Sequence, residues 1–99
     1  MKHIPRFRLV PEPADEDARR LAKFRWAGDD VGSRHQLGGE PTPAISESHW
    51  PRCPDCREQM SFYGQLDSLN DDYCVADAGV LCIFFCFDCN EVVATVESG

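Results

Sequence analysis

Two Cys-x-x-Cys pairs, Cys53-Pro54-Asp55-Cys56 and Cys86-Phe87-Asp88-Cys89, constrain this chain more than any other feature. Each pair lets two sulfurs converge on one ion. Together they supply four soft thiolates, the ligand set of a closed tetrahedral zinc site. A closed site keeps no position for a catalytic water, so the expected cofactor is a structural Zn²⁺ held by Cys53, Cys56, Cys86 and Cys89. With 99 residues the chain makes one domain with a modest core. A structural metal adds about 10–16 kcal/mol of apparent binding energy coupled to folding, which such a core needs.

All six cysteines fall between Cys53 and Cys89. An even count also permits disulfides, but these belong to oxidising compartments. The N-terminal residues Met1-Lys2-His3-Ile4-Pro5-Arg6 carry no apolar leader pattern, and no run reaches the roughly 18 apolar residues of a membrane helix. The expectation is a cytoplasmic protein with metal-bound thiolates. Cys82 reads as a small core residue or a substitute ligand, Cys74 as an inert thiol among acids, and His49 as the histidine nearest the first pair. A small Cys-x-x-Cys thiol oxidoreductase is the alternative function. It requires a helix N-terminus at the first cysteine to lower its pKa, and neither pair has a helical pattern after it. No nucleophile–histidine–carboxylate spacing, calcium loop or phosphate loop is present in the sequence, so the chain reads as non-enzymatic.

The formal charge of −7 hides an asymmetry. Residues 1–27 hold seven basic and four acidic groups, a balance of +3, whereas residues 28–99 hold three basic and thirteen acidic groups, a balance of −10. Four thiolates and one zinc ion make the second part more negative still. Such a body repels a phosphate backbone and argues against nucleic acid as a partner. It favours a basic protein, or the chain's own basic segment folded back.

Along the chain, residues 1–12 read as extended, with Pro5, Pro11 and Pro13 as punctuation. Residues 13–27 read as one amphipathic helix. Acids stand in its first turn, bases follow, and Ala14, Ala18, Leu21, Ala22 and Trp26 share a stripe that ends at Gly28. Residues 28–52 are rich in Gly, Pro, Ser and acids and show little period. Beyond them, Met60, Phe62, Gly64 and Leu66 alternate as one face of a strand. Residues 67–77 read as an acidic loop, residues 80–87 as a central strand apolar on both faces, and residues 92–96 as a third strand. The second cysteine pair then occupies a hairpin turn, as in a zinc ribbon. The 29 residues between Cys56 and Cys86 exceed the usual spacing and are filled by strand, loop and strand. Ribbons often place Gly after the second cysteine to reach a positive φ; here Arg57 and Asn90 stand there.

Four short motifs follow one another: His35-Gln36-Leu37-Gly38-Gly39-Glu40-Pro41; the first cysteine pair; Met60-Ser61-Phe62-Tyr63-Gly64-Gln65-Leu66-Asp67; and Asp77-Ala78-Gly79 running into Phe84 and the second pair. The turn and the two strand motifs, in this order and without the cysteine pairs, resemble the bacterial YwqG-like proteins of unknown function. Residues 35–89 are also similar to the zinc-containing module of programmed-cell-death-protein-2 relatives. The second resemblance implies a β-rich, zinc-stabilised module that chaperones a basic protein, with the four paired cysteines at the metal. This chain is much shorter than those relatives and lacks their repeated half.

The expected fold class is therefore α+β: an N-terminal arm and helix over residues 1–27, and a β-rich zinc-binding domain over residues 28–99. That domain would be a small antiparallel sheet with a zinc-ribbon-like site. Tyr63, Gln65 and residues 71–77 are the expected partner contacts.

Overall fold

In the computed structural model, which describes residues 1–28 and 30–98, five antiparallel strands lie side by side in sequence order. Two are short: β1 (Phe7–Arg8) and β2 (Gln36–Leu37). The other three, β3 (Ser61–Asp67), β4 (Val80–Cys86) and β5 (Glu91–Glu97), are seven residues each. Aromatic and β-branched residues dominate β4 and β5, the composition that fits a pleated surface. Each strand pairs with its neighbour in sequence, yet only β4 and β5 are joined by a tight turn, which is the second cysteine pair itself.

The core sits on one face of the sheet. Val80, Cys82, Phe84 and Cys86 point into it from β4, joined by Phe62, Met60 and Cys53. Phe84 lies at the centre, with Trp50 at 5.2 Å and Phe62 at 5.6 Å, both edge-on. Each fully buried large apolar side chain contributes about 1.5–3 kcal/mol. The cover is residues 45–53, which run across this face and include a 3₁₀ turn at Glu47–His49. Trp50 is fixed there by donating its indole N–H to the Met60 carbonyl at 2.8 Å.

The alternation expected for residues 60–66 breaks halfway. Met60 and Phe62 do share the core face, but the β3–β4 register shifts between Phe62 and Gly64. Beyond this bulge Gln65 and Asp67 face the core, while Gly64 and Leu66 pair with Ile83 and Leu81 on the other side. Gly64 allows the bulge to sit beneath β2, since a Cβ there would come within 2.6 Å of the Gln36 carbonyl oxygen.

Strand β4 was expected to be covered on both faces, and only one is covered. Opposite the core lie three rows across β3, β4 and β5. Ser61, Phe85 and Val92 are in register in one, with the ring of the bulged Tyr63 6.3 Å from that of Phe85, and Gly64, Ile83 and Ala94 form the next. Leu66, Leu81 and Val96 form the third. Tyr63, Leu66, Leu81, Val92 and Val96 are all exposed.

The helix expected over residues 13–27 is a single turn, α1 (Glu16–Arg19). Its start is sound: Asp15 caps it by accepting the Ala18 N–H at 2.8 Å. Its ion pair Arg19–Glu16 at 3.1 Å is exposed and contributes little. Most of the apolar stripe is left in solvent: Leu21 is half-buried, but Ala14, Ala18 and Ala22 are exposed and Trp26 is 88% exposed. Isolated helices this short are marginal, because the nucleation cost is not recovered without tertiary burial. No helix among the described residues is long and apolar enough to cross a membrane.

Candidate metal centre

The two cysteine pairs meet at one end of the sheet. The first forms a tight turn closed by a bridge between Arg52 and Gln59, just before β3. The second is the turn between β4 and β5. Both turns close in the same way: the N–H of Arg57 donates to the Cys53 carbonyl at 2.8 Å, and that of Asn90 to the Cys86 carbonyl at 2.8 Å. Both residues after the pair take the left-handed conformation, with φ of 65° at Arg57 and 59° at Asn90. Asn adopts it readily, whereas a long side chain does so at a cost of about 1–2 kcal/mol. Arg57→Gly is therefore expected to raise stability by about 0.5–1 kcal/mol, read from the denaturant midpoint at unchanged metal content; a drop would show that the Arg57 side chain carries a role in the turn.

The sulfurs of Cys53, Cys56, Cys86 and Cys89 all lie within 4.8 Å of one another. Cys56 and Cys86 are 3.8 Å apart, which matches the edge of roughly 3.8 Å in a tetrahedron with metal–sulfur distances of about 2.3 Å. All six cysteines are thiols. The group can thus hold a metal ion, with each of four tetrahedral positions filled by protein sulfur. Cys53 is buried, Cys86 nearly so, Cys89 half-buried and Cys56 exposed, so an ion would lie at the rim of the core.

Local amides prepare the first sulfur for charge. Cys53 Sγ accepts the N–H groups of Asp55 at 3.4 Å and Cys56 at 3.5 Å. The Cys56 N–H, more than the Asp55 N–H, lowers the Cys53 thiol to about 7 against the opposing effect of burial. Cys56 gains from the Glu58 N–H, yet burial and the neighbouring thiols leave it raised. Cys89 is raised strongly, by burial first and then by the sulfurs of Cys56, Cys53 and Cys86. Four like charges this close cannot all form by themselves. A divalent cation reverses that balance and deprotonates its ligands outright.

The other candidates lie elsewhere. Cys82 is fully buried among core side chains, where burial, helped by Glu97, pushes its thiol up to about 11. Cys74 is exposed in the loop before β4. His49 bonds Ser46 Oγ through Nδ1 at 2.8 Å. None of these three belongs to the four-sulfur group.

Gln65, expected as a partner contact, is 1% exposed and acts as a fastener. Its amide oxygen accepts the Thr42 N–H at 2.9 Å, and its amide nitrogen donates to the carbonyls of Thr42 and Arg34. Opposite it in register, Gln36 donates to the carbonyls of Gly38 and Glu40. These two buried amides fix the Gly38-Gly39 turn and the chain through Thr42. Their desolvation is offset by these bonds, which for Gln65 engage both the amide oxygen and the amide nitrogen. Tyr63 does lie on the surface, on the uncovered face of the sheet.

One constellation escaped sequence reading. Asp67, whose side chain is fully buried, forms a two-pronged ion pair with Arg34 at 2.7 and 2.9 Å and accepts the backbone N–H groups of Gly32, Arg34 and Ser68. Burial works to raise the Asp67 carboxyl, but these donors outweigh it and hold it below the ordinary carboxylate range. The only signal was an acid directly after the apolar Leu66, with an arginine 33 residues earlier. The acidic loop that follows is equally well tied. Asn70 accepts the N–H groups of Asp72 and Tyr73 and donates to the Ala22 carbonyl, while Asp71 meets Arg25 and Asp72 and Asp77 remain exposed.

Comparison of the chain with family models, with curated proteins and with solved structures found no match, so the reading of this centre rests on its own geometry.

Proposed function

We propose that this chain is a non-enzymatic, zinc-stabilised protein-interaction module, acting in a chaperone-like way on a basic protein. The observation that carries the reading is the closed group of four sulfurs. A tetrahedral all-thiolate set suits zinc, and with no open position the ion serves as a staple rather than a Lewis acid. A staple leaves the surface to do the work. Residues 28–99 carry a balance of −10, with Asp72 and Asp77 exposed on a loop held in place by Ser68 and Asn70. A fixed acidic surface steers and holds a basic partner. The motif resemblance of residues 35–89 to the module of programmed-cell-death-protein-2 relatives implies the same choice.

Capture of a basic protein from cell extract by the immobilised chain is expected at low ionic strength and is expected to fade as salt rises. A blank at low ionic strength would remove the partner from the proposal. The second reading, a small thiol oxidoreductase, draws on the lowered thiol of Cys53. That sulfur is buried, and neither pair begins a helix among the described residues. Native mass spectrometry finding one zinc ion and four thiols inert to alkylation would eliminate redox chemistry; a metal-free protein with one fast-reacting thiol would establish it instead.

A further inference from the structure

The uncovered face of the sheet carries Leu66, Leu81 and Val96, then Gly64, Ile83 and Ala94, then Phe85 and Val92 with the Tyr63 ring beside them; none of these bears a charge, and the Lys2 ammonium lies 4.9 Å over the adjoining Phe87 ring. We propose that this face is the contact surface for a second copy of the chain, which packs sheet against sheet to form a two-fold dimer.

The relief of the face supports an identical partner. Its outer rows are large: Phe85 and Val92 beside Tyr63 on one side, Leu81 and Val96 beside Leu66 on the other. The middle row, Gly64, Ile83 and Ala94, is lower at both ends. A ridge–trough–ridge profile complements itself when one copy shifts by half a period, so that a ridge of each enters the trough of the other. Stacked sheets interleave side chains in this manner at a separation of about 10 Å. In a two-fold contact the same patch faces itself, each residue i meeting j as j meets i, which an uncharged set allows without like-charge repulsion.

The size of the face sets the strength of the contact. The exposed fractions of these side chains amount to roughly 500 Å² of apolar surface, at the upper end of what monomers leave open. With that offset two of the three rows of each copy are covered, about 700 Å² in all, which is small for a specific interface, so a weak dimer with a dissociation constant toward the high-micromolar range is expected.

The other way to add a copy, along the free edge of β5, is blocked. Pairing that strand with itself over its full length, centred on Ala94, sets Glu91 of one copy opposite Glu97 of the other at both ends. Like charges directly opposed across strands are destabilising and commonly guard an edge. Association is therefore expected to stop at two.

Sedimentation equilibrium from low to high micromolar concentration, on metal-loaded protein, tests the proposal. The expected result is a monomer–dimer equilibrium that strengthens as salt rises, because salt screens the repulsion between two acidic copies. Capture of a basic protein responds to salt in the opposite sense, so the two proposals fail separately. The double substitution Val92→Glu and Val96→Glu, both at exposed edge positions, should weaken dimerisation by about tenfold or more with metal content and circular dichroism unchanged. A wild-type monomer at the highest concentration would mean that something else covers this face. A ladder beyond the dimer would mean edge pairing, and a dimer indifferent to the double substitution would place the contact elsewhere. Each of these results overturns the proposal.

Discussion

Treatment with a strong chelator at neutral pH is expected to unfold this chain, with loss of its β-sheet circular dichroism and recovery when zinc is returned. The four sulfurs join a turn ahead of β3 to the turn between β4 and β5, so one ion would tie together segments 30 residues apart in the chain. Apparent metal-binding energies of about 10–16 kcal/mol are comparable with the whole stability of a domain of this size. Removal of the ion leaves clustered thiols whose ionisation is mutually opposed, as the raised pKa values of Cys56 and Cys89 indicate. Cys53→Ser and Cys89→Ser should each abolish stoichiometric metal in native mass spectra and unfold the chain at physiological temperature. Cys74→Ser, outside the group and exposed, should change neither. A chain that stays compact and cooperative after chelation would refute the staple.

Replacement of Asp67 by Ala is expected to cost about 3–5 kcal/mol, because the Arg34 guanidinium would remain largely buried without its partner. The pair also sets a pH dependence whose sign is fixed. The Asp67 carboxyl lies lower in the folded chain than its ordinary 3.8, so its contribution is complete above that value and disappears as pH falls through the lower folded value. Acid also protonates thiolates and releases metal, which destabilises in the same direction. The comparison that separates the two is wild type against Asp67→Asn with metal content followed throughout: the wild type should lose its advantage below about pH 4, and the amide variant has none to lose. An Asp67→Ala variant within about 1 kcal/mol of wild type would show that the pair only balances its own desolvation.

The metal centre was the most legible part of the sequence, because the spacing of a Cys-x-x-Cys turn is a local property that needs no tertiary context. The long strands were legible for a similar reason: the apolar runs at residues 80–87 and 92–96 lie within or next to the observed β4 and β5. What failed depended on neighbours. The stripe from Ala14 to Trp26 has helical spacing, but most of it is left in solvent, and one capped turn is all that forms. The alternation through Met60 and Phe62 was correct until the bulge reversed it. That bulge is set by the approach of β2 to Gly64, from nearly 30 residues away in the chain. Gln65 was assigned to the surface by its polarity and is buried because Thr42 and Arg34 offer it backbone partners. The residues 80–87 were read as covered twice, since their pattern is apolar at both parities. The structure fills one of those sides and leaves the other bare.

Side-chain direction in a strand has a period of two, and Cys86 is the last residue of β4. If β4 slipped by one residue against β3, Cys86 would turn away from Cys53 and Cys56, and the set of four could not close. A bound ion would thus proofread strand alignment, because only the correct hydrogen-bonding frame assembles its ligands. Tight metal uptake should accordingly coincide with sheet formation in rapid-mixing experiments rather than precede it.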